Sequence, residues 1–461
     1  MIVMKFGGTS VANYEAITRT ISIVRGKLGQ KPVVVVSALS KVTDLLYRIS
    51  DCAAAGDAAG ANANIDALKS RHLDLARELL AGAGTCDEAC GRIDEICESL
   101  RSFVGAVCAL GELTDRSKAK IISRGEWLSS TIICYAMNAM GIATHFIDAR
   151  RMIVTSDNYM KGEPDMAEIS RRVPEVVNEA FKDCDAVITQ GFIASTAKGE
   201  TSVLGRGGSD YSASLVGMAL DAGRIEIWTD VDGVRTADPR IVPNTRNISR
   251  ISFEEAAEMA HFGAKVLHPM TIEPAVMKNI PVYVLNSMNP DGEGTAILRD
   301  DQIEDGVKSV SYKENIMLLN IFSTRMINVS GFLQKVFSIF SEHKVSVDLI
   351  STSEANISLT MDGNQDIDDV VRELSAFAEV DVDRDKSQIS VIGKNIVNLR
   401  GLLKQTMSSL KDCNVYMISQ GASFVNISFV VDRSSMKEAV REVHKYLFED
   451  KDYESSDQRI R

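Results

Sequence analysis

Residues 1–10 read M-I-V-M-K-F-G-G-T-S, and this stretch decides the fold. Met1, Ile2, Val3, Met4 and Phe6 make a short apolar run, the pattern of a buried strand, although periodicity alone does not separate it from a helix fragment. Lys5 stands inside the run, which is costly in a core unless an anion meets its ammonium. Gly7, Gly8, Thr9 and Ser10 follow at once, and a helical pattern begins near Asn13. Strand, glycine turn and helix start aim backbone N–H groups and a positive dipole end at an anion such as phosphate. An ordinary tight strand-to-helix turn is the alternative, and Lys5 weighs against it. The stretch is not a Walker P-loop, in which the lysine follows the glycines.

Working outward, 461 residues are too many for one ordinary core and imply two to four domains. Apolar and charged contents of 45% and 25% are those of a soluble globular protein. No apolar run approaches the length of a membrane span, and the N-terminal stretch lacks the basic-then-apolar layout of a signal peptide. A formal charge of −12 argues against a nucleic-acid partner. Cys86, Cys90 and Cys97 fall at helical spacing with no histidine pair beside them, so one helix face explains them better than zinc. The eight scattered cysteines fit reduced thiols and a cytoplasmic setting. No residue set is nominated as a metal site.

Pro32–Ser37 (P-V-V-V-V-S) reads as a strand covered on both faces, ending in Ser37-Ala38-Leu39-Ser40, with Thr43 near the next helix start. From about Leu45 to Ser123 the chain is alanine-rich and helical and shows no chemistry. In I-I-S-R-G-E-W-L (Ile121–Leu128), Gly125 and Glu126 interrupt an apolar stretch, and Glu126 taken alone reads as a surface carboxylate before a ligand contact. Ala143–Asp148 and Ala186–Gln190 read as further strands. In G-R-G-G-S-D (Gly205–Asp210), three glycines surround Arg206, a poor structural choice but a good clamp for a carboxylate or phosphate. Ser209 or Asp210 then reads as the N-cap of the next helix. Ile225–Thr229 is a strand followed by a long loop through Arg240, and Ser252 with Glu255 makes a capping box.

Residues 1 to about 295 therefore alternate strand and helix, which predicts an α/β domain with a largely parallel sheet between helices. Ligands in such folds sit beyond the carboxyl ends of the strands. Lys5, Ser37, Glu126, Gln190, Arg206, Asp210 and Asp230 all fall at or beyond such ends, which groups them as one site. Further along, residues 331–362 and 401–432 align without a gap at an offset of 70. Gly331-Phe332-Leu333 matches Gly401-Leu402-Leu403, and Asn356–Leu359 matches Asn426–Phe429. Two small α+β modules follow the sheet domain, joined to it by the linker Asn289–Glu304.

K-F-G-G-T-S, G-F-I at Gly191–Ile193, G-R-G-G-S-D, W-T-D-V-D-G-V at Trp228–Val234, T-A-D-P-R at Thr236–Arg240 and F-G-A-K-V-L-H-P at Phe262–Pro269 stand in one order along the chain. With these motifs the chain resembles, from end to end, the monofunctional aspartate kinases of the amino-acid kinase superfamily. The resemblance implies an amino-acid kinase domain at 1–295, a first ferredoxin-like ACT domain at 313–385, and a second at 305–312 plus 386–461. It further implies that no fused homoserine dehydrogenase domain is present. The implied reaction is ATP plus L-aspartate to ADP plus 4-phospho-L-aspartate, a first step towards lysine, threonine and methionine, with Mg²⁺ held mainly by the nucleotide phosphates.

By the same resemblance, Lys5 stabilises the transferring phosphoryl group, Gly7, Gly8 and Thr9 supply donors, and Asp210 orients Lys5 or the substrate ammonium. Arg206 clamps the substrate α-carboxylate and Glu126 its α-ammonium, with Ser37, Thr43, Phe192 and Ser209 lining the pocket. Thr229, Asp230, Arg240 and Lys265 hold the nucleotide, as would Arg235, which stands where many relatives carry tyrosine. Met326, Gly331, Phe332, Leu333, Val347, Asp348, Thr352, Ser353 and Glu354 match an effector surface, with lysine leading and threonine behind it. Asn328 and Val329 depart from that pattern. The second module has Ile418 and Phe424 at the positions of the acidic pair Asp348 and Glu354, and is not expected to bind lysine. A homodimer or homotetramer follows from the resemblance, with no nucleic-acid or membrane partner. Two alternatives remain at this point: a kinase of another acidic amino acid or a nucleoside monophosphate, and a catalytically silent amino-acid sensor.

Overall fold

The computed structural model describes residues 1–262, 269–327 and 330–449. Lys265 and His268, with most of the F-G-A-K-V-L-H-P motif, and the departures at Asn328 and Val329 lie outside the described residues. The chain divides into two compact units, one of Met1–Val234 with Val266–Arg299 and one of Arg235–Lys265 with the remainder from Asp300.

The strands of the first part of the chain are β1 (Ile2–Phe6), β2 (Pro32–Val36), β3 (Thr144–Ile147), β4 (Val154–Thr155), β5 (Ala186–Gln190), β6 (Ile193–Thr196), β7 (Thr201–Val203), β8 (Arg224–Thr229), β9 (Arg250–Ser252), β10 (Val282–Asn286) and β11 (Thr295–Leu298). All but β9 belong to the first unit, whose main sheet runs β3-β5-β2-β1-β8-β10-β11. Its strands pair in parallel except for β10 with β11. Every residue of β1, β2 and β5 is buried, as a sheet covered on both faces requires. The central strand is β1, with β2 on one side and β8 on the other. The order of strands reverses at β1, and the crevice at such a point is where α/β folds bind ligands.

Helices α1 (Tyr14–Arg25), α2 (Val42–Ala54), α3 (Ala58–Leu79), α4 (Cys86–Leu110), α5 (Asp115–Ile122), α6 (Arg124–Ala139), α7 (Met166–Ala180) and α8 (Gly208–Ala219) complete the crossovers. The Asn13 side chain caps α1 by accepting the Ala16 N–H at 3.0 Å. The alanine-rich region is helical as expected, and its inward residues Leu46, Ile65, Ile93, Leu100 and Ile132 share one core with Met4, Phe6, Val34 and Val36 of the sheet. Cys97 lies in that core, with Cys86 and Cys90 packed against it, and burial pushes the Cys97 thiol up to about 11. All eight cysteines are free thiols. The small sheet β4-β6-β7 hangs the Gly205–Asp210 turn from the end of β7.

In the second unit, α9 (Phe253–His261) carries the full capping box of Ser252 and Glu255. Its six-stranded antiparallel sheet is built from β12 (Gly306–Phe322), β13 (Ile350–Thr352), β14 (Asn356–Asp362), β15 (Glu379–Lys394), β16 (Val415–Gln420) and β17 (Asn426–Asp432), ordered β13-β14-β12-β15-β17-β16. Two long strands outside the aligned repeats, β12 and β15, serve both modules. Residues 306–313 of β12 pair with the 388–394 end of β15, and residues 318–322 pair with its 379–383 end, across a register shift near Lys313 and Ile316. Helices α11 (Phe332–Glu342) and α12 (Asp368–Ser375) cover one repeat, α13 (Leu402–Ser409) and α14 (Met436–His444) the other, each over its own core. The helix α10 (Pro269–Met277) returns to the first unit. Among the described residues, no helix is long and apolar enough to cross a membrane.

Candidate active site

At the carboxyl ends of β1, β2 and β5 a cavity of about 680 Å³ opens, lined by Lys5, Gly8, Ser37–Lys41, Thr43, Tyr47, Glu126, Met160, Lys161, Phe192 and Gly205–Asp210. Lys5 reaches it from the central strand. Its Nζ lies 2.6 Å from Oδ1 of Asp210, in the first turn of α8, with both side chains mostly buried. The contact fixes the position of the Lys5 side chain at the cavity, where an incoming anion meets it. Lys5, Lys41, Lys161 and Arg206 set four cations around the cavity against the two carboxyls Glu126 and Asp210. A protein of formal charge −12 thus concentrates positive charge around this cavity.

The glycine turn after β1 is drawn tightly onto the turn after β2. Ser40 N–H donates to the Gly8 carbonyl at 3.1 Å, and a Cβ on Gly8 would sit 2.9 Å from the Ala38 carbonyl oxygen, so only glycine fits. The Gly7 N–H donates to the Trp228 carbonyl at 3.1 Å. Of the three residues expected to supply donors, Gly8 lines the cavity, and Gly7 and Thr9 are not among its lining residues.

Glu126 overturns the reading of it as a surface carboxylate. It lies in α6 and is 4% exposed, because Gly125 lets that helix press against Ala38, where a Cβ would clash at 2.7 Å. Its Oε1 accepts the Ala38 N–H at 3.2 Å, while Oε2 is buried with no partner. Burial pushes its carboxyl up to about 8, because backbone N–H donors, that of Ala38 among them, offset only part of the lost hydration of the charge. Such a group is completed by a ligand that brings a cation.

Arg206 is exposed and, among the described residues, its guanidinium has no ion-pair partner, which leaves the fork free for an anion. The flanking Gly205 and Gly207 take φ of +78° and +71°. Gly207, not Ser209 or Asp210, caps α8, which corrects the N-cap expectation and frees Asp210 for Lys5. Phe192 holds φ +67°, with its N–H donating to Ser212 Oγ at 2.9 Å and its ring against Gly208. Gln190 does not line the cavity: its side-chain Oε1 accepts the Ala149 N–H at 2.8 Å.

The sequence reading missed Lys41, Tyr47, Met160 and Lys161 in the lining, and Arg71 behind it. Arg71 sits in α3 and donates to the Ser40 carbonyl at 2.8 Å, fixing the turn after β2. An arginine inside an amphipathic helix carries no sign of that task.

The remaining expected residues lie apart from this lining. Thr229 and Asp230 end β8, with the Thr229 hydroxyl donating to Asp230 Oδ1 at 3.2 Å. Arg235 and Arg240 belong to the second unit. Arg235 spends its fork on Thr245, 2.6 Å to the hydroxyl and 2.7 Å to the carbonyl. Arg240 pairs with Asp238, whose carboxyl is thereby held down to about 2. Lys265 lies outside the described residues.

On the surface expected to bind an effector, the Asp348 side chain is 8% exposed and salt-bridged to Lys313 at 2.7 Å, and Lys313 also meets Asp362 at 2.8 Å. Glu354, Thr352, Ser353 and Leu333 are exposed, Phe332 is core, and Met326 and Val347 pack against that core. Gly331 takes φ +87° as the N-cap of α11.

Comparison with known proteins agrees with this geometry. Residues 1–286 match the model of the amino acid kinase family, and residues 319–376 and 389–447 match that of the ACT domain. The chain is 35% identical to lysine-sensitive aspartokinase 3 of Escherichia coli, over 97% of this chain and 99% of the relative. Its structure matches that of E. coli aspartokinase III in complex with aspartate and ADP (R-state), with a TM-score of 0.82 and 33% identity over 97% and 100% of the two chains. It also matches the same enzyme in complex with lysine and aspartate (T-state), with a TM-score of 0.79 at 33% identity over the same shares. An amino acid kinase domain followed by repeated ACT modules is thus the make-up of this chain, which belongs to the amino acid kinase family and, within it, to the aspartokinases.

Proposed function

We propose that the chain transfers the γ-phosphoryl group of ATP to the β-carboxylate of L-aspartate, giving ADP and 4-phospho-L-aspartate. The observation that carries this is the Lys5–Asp210 pair in one cavity with the unpaired Arg206 and the unsatisfied Glu126. An amino acid brings the two groups those residues lack, a carboxylate for Arg206 and an ammonium for Glu126. The β-carboxylate is already a nucleophile, so the chain has only to position it and offset charge on the phosphoryl group. Lys5 does the latter, and Asp210 holds it in place. Ser37, Thr43, Phe192 and Ser209 shape the pocket around the acceptor. The cationic lining and the Gly8 turn fit a polyphosphate, with Thr229 and Asp230 as its further contacts. Mg²⁺ enters with the nucleotide, held mainly by its phosphates, and neutralises part of their charge.

The same reading assigns 1–295 to the kinase domain, 313–385 to a first ACT domain, and 305–312 with 386–461 to a second. Strand pairing supports the last split, since residues 306–313 pair with the second-repeat end of β15. Lysine is the leading effector, with threonine behind it, acting on the surface around Asp348 and Glu354. The lysine-sensitive E. coli relative supports it. A homodimer or homotetramer in the cytoplasm completes the proposal.

The test is aspartate-dependent ADP release with Mg²⁺-ATP, repeated with lysine, threonine or both. Turnover suppressed by lysine supports both parts. Turnover indifferent to every amino acid removes the regulatory part, and absence of aspartate-dependent turnover removes the acceptor.

A further inference from the structure

Lys41 is the one cation of the cavity that stands in the left-handed region, at φ +65° and ψ 2°. Glycine takes that conformation at no steric cost, whereas a side chain crowds its own backbone there. Such a residue persists only where its surroundings over-determine it, and they do so here. Ser40 N–H donates to Gly8 O at 3.1 Å, Val42 N–H to Leu39 O at 2.9 Å and Leu45 N–H to Lys41 O at 3.2 Å. Arg71 holds the Ser40 carbonyl at 2.8 Å. The backbone is thus clamped on both sides of a lysine whose side chain lines the cavity, and among the described residues that side chain has no carboxylate partner.

We propose that Lys41 is a nucleotide-phosphate ligand, a second cation beside Lys5 on the transferring end of the polyphosphate. The assignment follows from the turn it sits in. Its neighbour Ser40 is hydrogen-bonded to Gly8, in the glycine turn read as the phosphate cradle, while Ser37 and Thr43 of the same segment line the acceptor pocket, so Lys41 is assigned to the transferring end of the polyphosphate, where nucleotide and acceptor meet. The proposal rests on reading this cavity as a phosphoryl-transfer site.

Lys41→Gly tests it, because this change relieves the backbone and removes the ammonium at once. The variant is expected to melt no lower than the wild type, yet to bind Mg²⁺-ATP about tenfold or more weakly by calorimetric titration without aspartate. KM for ATP rises to match, while KM for aspartate moves less than about twofold. Lys41→Arg, which keeps the charge, recovers most of the ATP affinity. Unchanged ATP affinity in Lys41→Gly overturns the proposal, as does a rise confined to KM for aspartate. Because the titration needs no acceptor, a wild type that binds Mg²⁺-ATP without phosphorylating aspartate refutes the acceptor reading and leaves Lys41 to be judged by its affinity.

Discussion

Lys5 Nζ and Asp210 Oδ1 are 2.6 Å apart although 205 residues separate them in the chain, and their pair ties the central strand of the sheet to the first turn of α8. The ammonium is held by one carboxylate while its remaining donors face the cavity. The pair thus joins the fold and the chemistry in a single contact.

Replacing Lys5 with alanine is expected to lower kcat by about 10³-fold or more, since it removes the charge placed against the transferring phosphoryl group. The variant stays folded, because the apolar residues of β1 keep their places. ADP release and far-UV circular dichroism check this together, and intact turnover in Lys5→Ala refutes the phosphoryl-stabilising role.

Arg206→Ala acts on binding instead. The guanidinium is exposed and unpartnered, so its loss changes stability by less than about 0.5 kcal/mol while raising KM for aspartate roughly 10- to 100-fold. A thermal melt and a substrate titration separate the two. A large drop in Tm with unchanged KM would give Arg206 a structural role.

Glu126 makes the empty protein sensitive to pH. Burial raises its carboxyl to about 8 in the folded protein, from an ordinary value of 4.5. Between those values the folded state keeps a proton that the unfolded state has lost, so stability falls as pH rises through this window and levels off above it. The loss is of the order of a few kcal/mol. Glu126→Gln removes it: the variant and wild type melt alike near pH 5, and the variant melts higher near pH 8. The same variant binds aspartate worse, because an amide cannot offset the ammonium. Parallel melting curves across this range would show that Glu126 does not titrate in it.

Asp348→Ala tests the regulatory surface. Asp348 already carries the Lys313 ammonium at 2.7 Å, so an effector ammonium competes with a residue of the chain itself. Inhibition by lysine, expressed relative to each protein's own activity without it, is expected to weaken at least about tenfold in the variant. Unaltered sensitivity places the effector elsewhere.

Much of this was legible in the sequence because period and spacing carried it. The V-V-V-V run, the capping box at Ser252 and the K-F-G-G turn each state their local structure in a few adjacent residues. What was illegible depended on distant contacts. Glu126 looked like an interruption of an apolar stretch until Gly125 let α6 close on Ala38 and turned the carboxylate inward. Lys41 gave no hint of a left-handed backbone, since nothing in S-A-L-S-K-V-T announces one. Arg235–Lys265 clusters with the second unit although no change of composition marks Val234 as a boundary. Its membership is set by contacts such as Val310 N–H to the Thr236 carbonyl at 2.8 Å.

The long strands β12 and β15 have a consequence for evolution and engineering alike. Each of the two modules draws on the same pair of ribbons, 17 and 16 residues long, so neither is a part that can be excised. A fragment ending anywhere between the repeats strips its neighbour of a central strand and bares a sheet edge. The two ACT modules are therefore expected to melt, and to tolerate grafting, as one piece.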